Sequence, residues 1–323
     1  MSGNHKLSKE EKLKKLKTLI IGLGNVGFEY DKNILGNSII FSHSQAVKKN
    51  KYYRLVAGVD KNKKKRDLFK KKYKVKVYEK LKQCLKNVEI DLAIIALPTI
   101  LQFKTFENLK KQKINNIIFE KPISIKISEA KIILKHSFLK KNNYIVNYIR
   151  RYNPAILNLK QKLINKKLGK ILSGFFWYKE NLKHGGCHFV DLMLFFFGKP
   201  ISVKLLGEHC PSPNLIFNYG KFKIYLFSLH KADYEIGKFE IQTTKSIITY
   251  ADDEDIMIYN SVKNNFFKNE RKLVLKNKLK YKKNVNIKYV YDKFIKLNKN
   301  ELNTNLNDAF YNLKICNRFS LKK

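Results

Sequence analysis

Residues 18–27 read Thr-Leu-Ile-Ile-Gly-Leu-Gly-Asn-Val-Gly, an apolar run that continues into three glycines spaced G-x-G-x-x-G. The run is too short for a helix and rich in Ile, which favours a buried strand. Gly22 lets the chain turn sharply, Gly24 lets the backbone approach a pyrophosphate, and Gly27 lets the following helix pack closely. The N–H groups that open this helix would hold phosphates. The pattern predicts a dinucleotide-binding turn.

An acidic residue closes the next predicted strand, residues 54–60 (RLVAGVD). The Asp60 carboxylate stands where a ribose 2′-hydroxyl would be bound, which favours NAD and leaves NADP as an alternative because basic residues 61–66 follow. Asp60 lies further from Gly27 than the usual separation of about 20 residues. The excess fits an inserted loop at 29–40, with a helix continuing through 43–49. The cofactor-binding residues predicted here are Gly22, Gly24, Asn25, Val26, Gly27 and Asp60.

Strand and helix patterns alternate up to residue 148, which is typical of βαβ units and a parallel sheet. Further on, β-like runs joined by short turns indicate an antiparallel or mixed sheet: 170–177, 201–206, 215–217, 221–228, 239–244 and 246–250. We therefore expect an α/β protein with an N-terminal doubly wound Rossmann sheet and a C-terminal α+β domain. The predicted parts are a basic extension (1–17), a Rossmann domain (18–123) and a second domain (124–323) whose residues 124–150 pack on the Rossmann sheet.

Composition limits the class of protein. The 323 residues contain 44% hydrophobic residues, which excludes a disordered chain. Residues 1–17 are polar and Lys-rich, without the apolar stretch of a secretory signal, and four cysteines without paired spacing suit a reducing cytoplasm. The net charge of +41 comes mainly from lysines spread over every predicted solvent face. We expect no membrane segment and no specific nucleic-acid partner, although weak binding to polyanions at low salt is expected.

Two predicted strands end in motifs that can carry chemistry. Pro98-Thr99 follows the fourth strand and Glu120-Lys121-Pro122 follows the fifth, at the sheet edge where open α/β folds bind ligands. A lysine at this edge can share a proton with a substrate hydroxyl. The alternative is one more surface lysine among many.

A second cluster, His184-Gly-Gly-Cys-His188-Phe-Val-Asp191, opens an apolar helix. On a helix the two histidines and Asp191 would share one face. A metal site formed by His184, Cys187 and His188 is an alternative, but the stretch lacks the glutamate of a zincin, and we predict no metal. His188 could also be an ordinary core histidine.

The ordered set of motifs resembles the Gfo/Idh/MocA oxidoreductase family, the relatives of glucose–fructose oxidoreductase and inositol dehydrogenase. The set comprises the three glycines, Asp60, Pro98-Thr99, Glu120-Lys121-Pro122, residues 147–154 (NYIRRYNP) and Gly186-x-His188-x-x-Asp191. The resemblance implies bound NAD(P), with Lys121 and His188 at the reacting carbon. It also implies a large open sheet in the second domain that often mediates homodimers or homotetramers.

Two positions depart from the family pattern. His184 stands where many members have an aspartate, and Gln102 stands where many have a histidine. We expect a cytoplasmic oxidoreductase that transfers hydride between NAD(P) and a secondary hydroxyl or ketone of a sugar, sugar nucleotide or polyol. A reductase of another small carbonyl or imine, or a non-catalytic cofactor-binding sensor, remains open. The cofactor would also contact Pro98, Thr99, Glu120 and Lys121, and the substrate Lys121, Tyr148, Arg151, Tyr152, His184 and His188.

Overall fold

The computed structural model describes residues 15–34, 38–208, 210–251, 254–267 and 269–320. The first fourteen residues of the expected N-terminal extension lie outside the described residues, and the first strand begins at Leu16.

Six strands form a parallel sheet in the order β3-β2-β1-β4-β5-β6. This is the doubly wound order of a Rossmann fold, whose direction reverses between β1 and β4. The central strands are buried on both faces, which explains their continuous apolar sequences. Their bounds are β1 Leu16–Ile21, β2 Tyr53–Val59, β3 Lys76–Tyr78, β4 Leu92–Ile95, β5 Asn116–Phe119 and β6 Asn143–Val146.

Five helices connect these strands: α1 His43–Lys48, α2 Lys63–Tyr73, α3 Leu81–Asn87, α4 Thr99–Lys111 and α5 Ile127–Lys140. The helix that follows β1 is interrupted, and α1 is its second part. A single turn follows the glycines, where Phe28 N donates to Gly24 O over 2.8 Å, and a short 3-10 segment ends it. Further along the chain, His43 N donates to Val26 O over 2.9 Å. Helix α1 therefore resumes the helix that the glycine turn begins, and the residues between them are an insertion, as the spacing of Gly27 and Asp60 suggested.

Asp31 holds the base of this insertion. Its carboxylate is fully buried and accepts from the backbone N–H groups of Phe41 (2.8 Å) and Ser42 (2.9 Å). Ile40 N donates to Asn284 O over 2.8 Å, so the returning strand of the loop also contacts the second domain.

The second domain contains an eight-stranded sheet in the order β14-β13-β12-β11-β7-β10-β9-β8. Among the strand pairs of the described residues in this sheet, only β7–β10 is parallel, which confirms the expected mostly antiparallel sheet. Side chains alternate between a buried face and an outward face, as pleated strands require. The strands are β7 Ile171–Tyr178, β8 Ser202–Leu206, β9 Asn214–Asn218, β10 Lys223–Ser228, β11 Gly237–Thr243, β12 Ser246–Ala251, β13 Ile256–Lys263 and β14 Arg271–Leu279.

Four more helices join the two sheets: α6 Pro154–Ile164, α7 Cys187–Phe197, α8 Asn286–Phe294 and α9 Lys299–Phe319. Helix α9 packs against α5, α7 and β6, and helix α8 packs against α1. The Asn305 side chain accepts from Val146 N over 2.7 Å, which joins α9 to the last parallel strand. In the described part of the chain, no helix is both long and apolar enough to cross a membrane.

A buried ion cluster ties α7 and α9 to the 3-10 turn Ile149–Tyr152, which follows β6. Arg151 Nε donates to Asp191 Oδ2 over 2.9 Å, and Arg151 Nη1 donates to Asp308 Oδ2 over 3.2 Å. All three side chains are almost inaccessible to solvent. Burial raises the pKa of Asp191, and the neighbouring guanidinium opposes this by lowering it.

Candidate active site

A cavity of about 930 Å³ lies between the carboxyl edge of the parallel sheet and the second domain. Val26 of the glycine turn, Pro98 and Thr99 after β4, and Lys121 after β5 line it from the Rossmann side. His188 of α7 lines it from the other side. The cavity thus joins the predicted cofactor turn to both predicted catalytic residues, on the sheet edge where α/β folds bind ligands.

The three glycines have different physical roles. Gly22 has φ +95°, and a Cβ there would lie 2.3 Å from Ala96 O, so only glycine fits. A Cβ on Gly27 would lie 2.1 Å from Gly22 O. A Cβ on Gly24 would meet only Lys65 Nζ, at 3.8 Å. The space above Gly24 is therefore open, which fits the approach of a pyrophosphate to the backbone.

Asp60 sits beside this turn at the end of β2. Its Oδ2 accepts from Leu23 N and its Oδ1 from Asn62 N, each over 2.8 Å. The side chain is half-buried, and each oxygen keeps capacity for a further hydrogen bond from a ribose hydroxyl. In the basic run that follows, Arg66 donates to the main-chain oxygen of Asp60 over 2.8 Å, and Lys65 pairs with Glu29 at 2.7 Å.

The Glu120-Lys121-Pro122 loop follows β5, and its Lys121–Pro122 peptide is cis. Lys121 Nζ donates to His184 O over 3.2 Å, which holds the ammonium at the cavity wall. Glu120 also lines the cavity and accepts from Asn147 Nδ2 over 2.6 Å.

His184 lies on a π-helical turn, Leu182–Gly186, that precedes α7. Asn181 caps this turn by accepting from His184 N over 2.8 Å, and the imidazole pairs with Glu180. The peptide oxygen of His184 also accepts from Cys187 Sγ over 3.2 Å. Among the described residues, no group of three or more His, Cys, Asp or Glu side chains could hold a metal ion.

His188 is half-buried, and its Nδ1 is buried without a hydrogen-bond partner in the described structure. Burial holds the pKa of His188 well below its ordinary value, and the positive charges of Arg150 and Lys121 add to the effect. The imidazole is therefore neutral near pH 7 and can accept a proton or a hydrogen bond.

The structure does not bring Tyr148, Arg151 and Tyr152 to the cavity, although the sequence suggested them as substrate contacts. The Arg151 guanidinium is occupied by two buried carboxylates. Tyr148 packs edge-on behind His188, with ring centres 6.1 Å apart, and the Tyr152 hydroxyl accepts from Asn305 over 3.0 Å. Asp191 likewise accepts a hydrogen bond from Arg151 and makes none with His188.

Sequence reasoning missed two residues at the Glu120 carboxylate. Asn147 was noted only as the first residue of the motif NYIRRYNP and was given no role, and the insertion separates His43 in sequence from the glycine turn. His43 Nε2 lies 2.9 Å from Glu120 Oε1. The only sequence signal for it was the expected resumption of the helix after the inserted loop, which returns residue 43 to the glycine turn.

A parallel sheet in this order, an open glycine turn and a strand-end aspartate define a dinucleotide-binding protein with a second, open-sheet domain. The model of a family described as "Oxidoreductase family, NAD-binding Rossmann fold" matches residues 16–148. The Rossmann part of the chain therefore matches the Gfo/Idh/MocA oxidoreductases, and this match supports an NAD(P)-binding Rossmann oxidoreductase.

Solved structures share the fold over nearly the whole chain. A dehydrogenase from Chromobacterium violaceum has a TM-score of 0.78 at 12% identity, covering 95% of each chain. A scyllo-inositol dehydrogenase from Lactobacillus casei has a TM-score of 0.67 at 17% identity, covering 94% of this chain and 95% of its own. A UDP-N-acetylglucosamine 3-dehydrogenase from Acidithiobacillus ferrooxidans has a TM-score of 0.71 at 14% identity, covering 94% and 96%. No curated protein matches the chain.

We predict that Gly24→Val abolishes NADH binding and leaves the fold intact, because its side chain fills the open space above the turn. Gly22→Val is the matched contrast, since its Cβ collides with Ala96 O and should unfold the domain. Calorimetry with NADH, together with thermal melts of both variants, measures this. Undiminished NADH binding by folded Gly24→Val contradicts the assignment of the turn.

Proposed function

We propose that the protein transfers hydride between a nicotinamide cofactor and a secondary hydroxyl or ketone of a sugar, sugar nucleotide or polyol. The observation that carries the proposal is one cavity that extends to the glycine turn and that Lys121 and His188 line from opposite domains. Two proteins of the same fold are named as dehydrogenases of an inositol and of a sugar nucleotide. Four further asparagines line the cavity and already make hydrogen bonds within the protein: Asn181, Asn286, Asn312 and Asn317.

Each catalytic side chain has a distinct task in this proposal. The cofactor, when bound at Gly24 and Asp60, supplies the hydride acceptor or donor. Lys121 donates a hydrogen bond to the substrate oxygen and stabilises the negative charge that develops there. His188, neutral because of its lowered pKa, takes the hydroxyl proton during oxidation and returns it during reduction. His184 lines the same wall and contacts the substrate from the turn that anchors Lys121.

We predict that Lys121→Ala, Lys121→Arg and His188→Ala each lower single-turnover hydride transfer by about 10²–10⁴-fold while cofactor affinity stays within a few-fold. Arginine keeps the charge but carries a bulkier planar group, which moves the donor away from the position that the substrate oxygen requires. Stopped-flow absorbance of NADH with a panel of sugar and polyol substrates gives the rates. Lys131→Arg, on the exposed face of α5, is the matched control. Near-normal hydride transfer by Lys121→Arg would show that Lys121 contributes only its positive charge.

We propose that NAD is preferred over NADP. The Asp60 carboxylate can accept from ribose hydroxyls and repels a 2′-phosphate. Lys65 and Arg66, which could have compensated, already pair with Glu29 and with main-chain oxygens.

The dissociation constants of NAD and of NADP, both measured at physiological salt, test this preference. Asp60→Asn should narrow the difference between them, because the amide keeps an acceptor for Leu23 N–H and loses the charge. Tighter binding of NADP by the unaltered protein would show that the basic run outweighs the carboxylate.

We propose that the protein forms a homodimer or homotetramer through the outward face of the eight-stranded sheet. Four aromatic side chains stack on this face, Phe175, Trp177, Tyr225 and Phe227, with Phe175 and Tyr225 ring centres 5.4 Å apart. All four are half-buried and unusually apolar for a solvent-facing surface, a property typical of interaction sites.

Sedimentation velocity should give a dimer or tetramer of the 38.1 kDa chain, and Tyr225→Lys with Phe227→Lys should give monomer. Leu139→Lys places the same charge on an exposed apolar residue of α5 and should leave the assembly unchanged. A monomeric wild-type protein rules out the proposed interface.

A further inference from the structure

The His43 side chain is fully buried, and both of its ring nitrogens have partners. Nδ1 lies 2.7 Å from the Tyr291 hydroxyl, and Nε2 lies 2.9 Å from Glu120 Oε1. Tyr291 belongs to α8 in the second domain, and its backbone oxygen in turn accepts from the Tyr53 hydroxyl over 2.8 Å. His43 therefore contacts the loop that carries Lys121 and the second domain at the same time.

The main chain of His43 ties it to the glycine turn as well. His43 N donates to Val26 O, as described above, and Ser44 N donates to Gly27 O over 3.1 Å. The start of α1 is thus hydrogen-bonded directly to the predicted phosphate-binding turn. A displacement of that turn would be transmitted to the imidazole, and through it to Glu120.

The hydrogen-bond network assigns the tautomer of this histidine. The Glu120 carboxylate can only accept, so Nε2 carries the ring proton and donates to it. Nδ1 then accepts from the Tyr291 hydroxyl, whose pKa burial raises well above its ordinary value.

Glu120 receives two donors on one oxygen, because Asn147 Nδ2 also donates to Oε1 over 2.6 Å. Its other oxygen accepts from Lys121 N over 3.2 Å, so the carboxylate bonds the backbone of the lysine itself. The Glu120 side chain is only 13% exposed, and a carboxylate so enclosed depends on its donors to hold one orientation.

We infer that His43 is a positioning residue of the reaction: it holds Glu120, and through Glu120 the backbone of Lys121, in the geometry that hydride transfer requires. His43 lies behind the cavity wall and does not touch the substrate. The inference rests on the proposed function of Lys121. A displacement of about 1 Å in a catalytic group can cost about 10²-fold in rate.

Two amide substitutions separate this role from simple core packing. In His43→Gln the amide nitrogen reaches about as far as Nε2 and can still donate to Glu120. In His43→Asn the amide reaches only as far as Nδ1, so the Glu120 bond is lost. Both variants bury a neutral amide in the same space, so their melting temperatures should fall by similar amounts.

We expect His43→Asn to lower single-turnover hydride transfer by about 10²-fold, with the cofactor dissociation constant and the substrate KM within a few-fold of normal. His43→Gln should retain most of the rate. His136 is the matched control: its Nδ1 lies 3.1 Å from the Tyr144 hydroxyl, far from the cavity, and its Asn and Gln variants should change stability only. Equal hydride-transfer rates for His43→Asn and His43→Gln would overturn the inference. Losses of rate that parallel the decreases in melting temperature would do the same.

Crystal structures of the two His43 variants give a second readout that needs no substrate. His43→Asn should show a displaced Glu120 and a lost contact between Lys121 Nζ and His184 O, while His43→Gln should retain both. An unmoved Glu120 in His43→Asn contradicts the positioning role. Absence of hydride transfer in the unaltered protein, with these structural differences present, refutes the proposed function and shows that His43 orders Glu120 and the Lys121 loop in a structural role only.

Discussion

Arg151, in the 3-10 turn that follows β6, lies buried between two carboxylates, Asp191 of α7 and Asp308 of α9, and this ion cluster ties both helices to the segment that leaves the parallel sheet. A charge buried without partners would cost several kcal/mol, so the three groups must stay together once water is excluded. Asp191 lies one helical turn beyond His188. Because Arg151 holds Asp191, it also fixes the position of His188 at the cavity wall, opposite Lys121.

The Rossmann half could be predicted closely because its physics is local. Strands buried on both faces require continuous apolar runs, and the glycine turn requires residues without Cβ at fixed spacing. The strands β13 and β14 were missed for the opposite reason. Every residue of β14 is exposed or half-exposed, so its sequence carries no burial alternation, and its place comes only from pairing with β13 at the sheet edge.

The residues of the candidate site also fall into those that local sequence patterns predict and those that they do not. The lysine and the glycines could be found because strand ends place them at one edge of the sheet. His43 could not, because its partner Glu120 is 77 positions away and Tyr291 is 248 positions away. Arg151 illustrates the converse error: an arginine near the domain junction suggested a ligand contact, and only the fold shows Asp308, 157 positions away, at its guanidinium. Long-range pairing of polar side chains follows from tertiary structure and leaves no local pattern.

We propose that cofactor and substrate meet in the cavity that Lys121 and His188 line from opposite domains. A crystal structure of the unaltered protein with bound NADH tests this arrangement. We expect pyrophosphate density above Gly24, ribose hydroxyls at Asp60, and the nicotinamide ring in the cavity between Lys121 and His188. NADH bound elsewhere, or a nicotinamide ring outside that cavity, would contradict it.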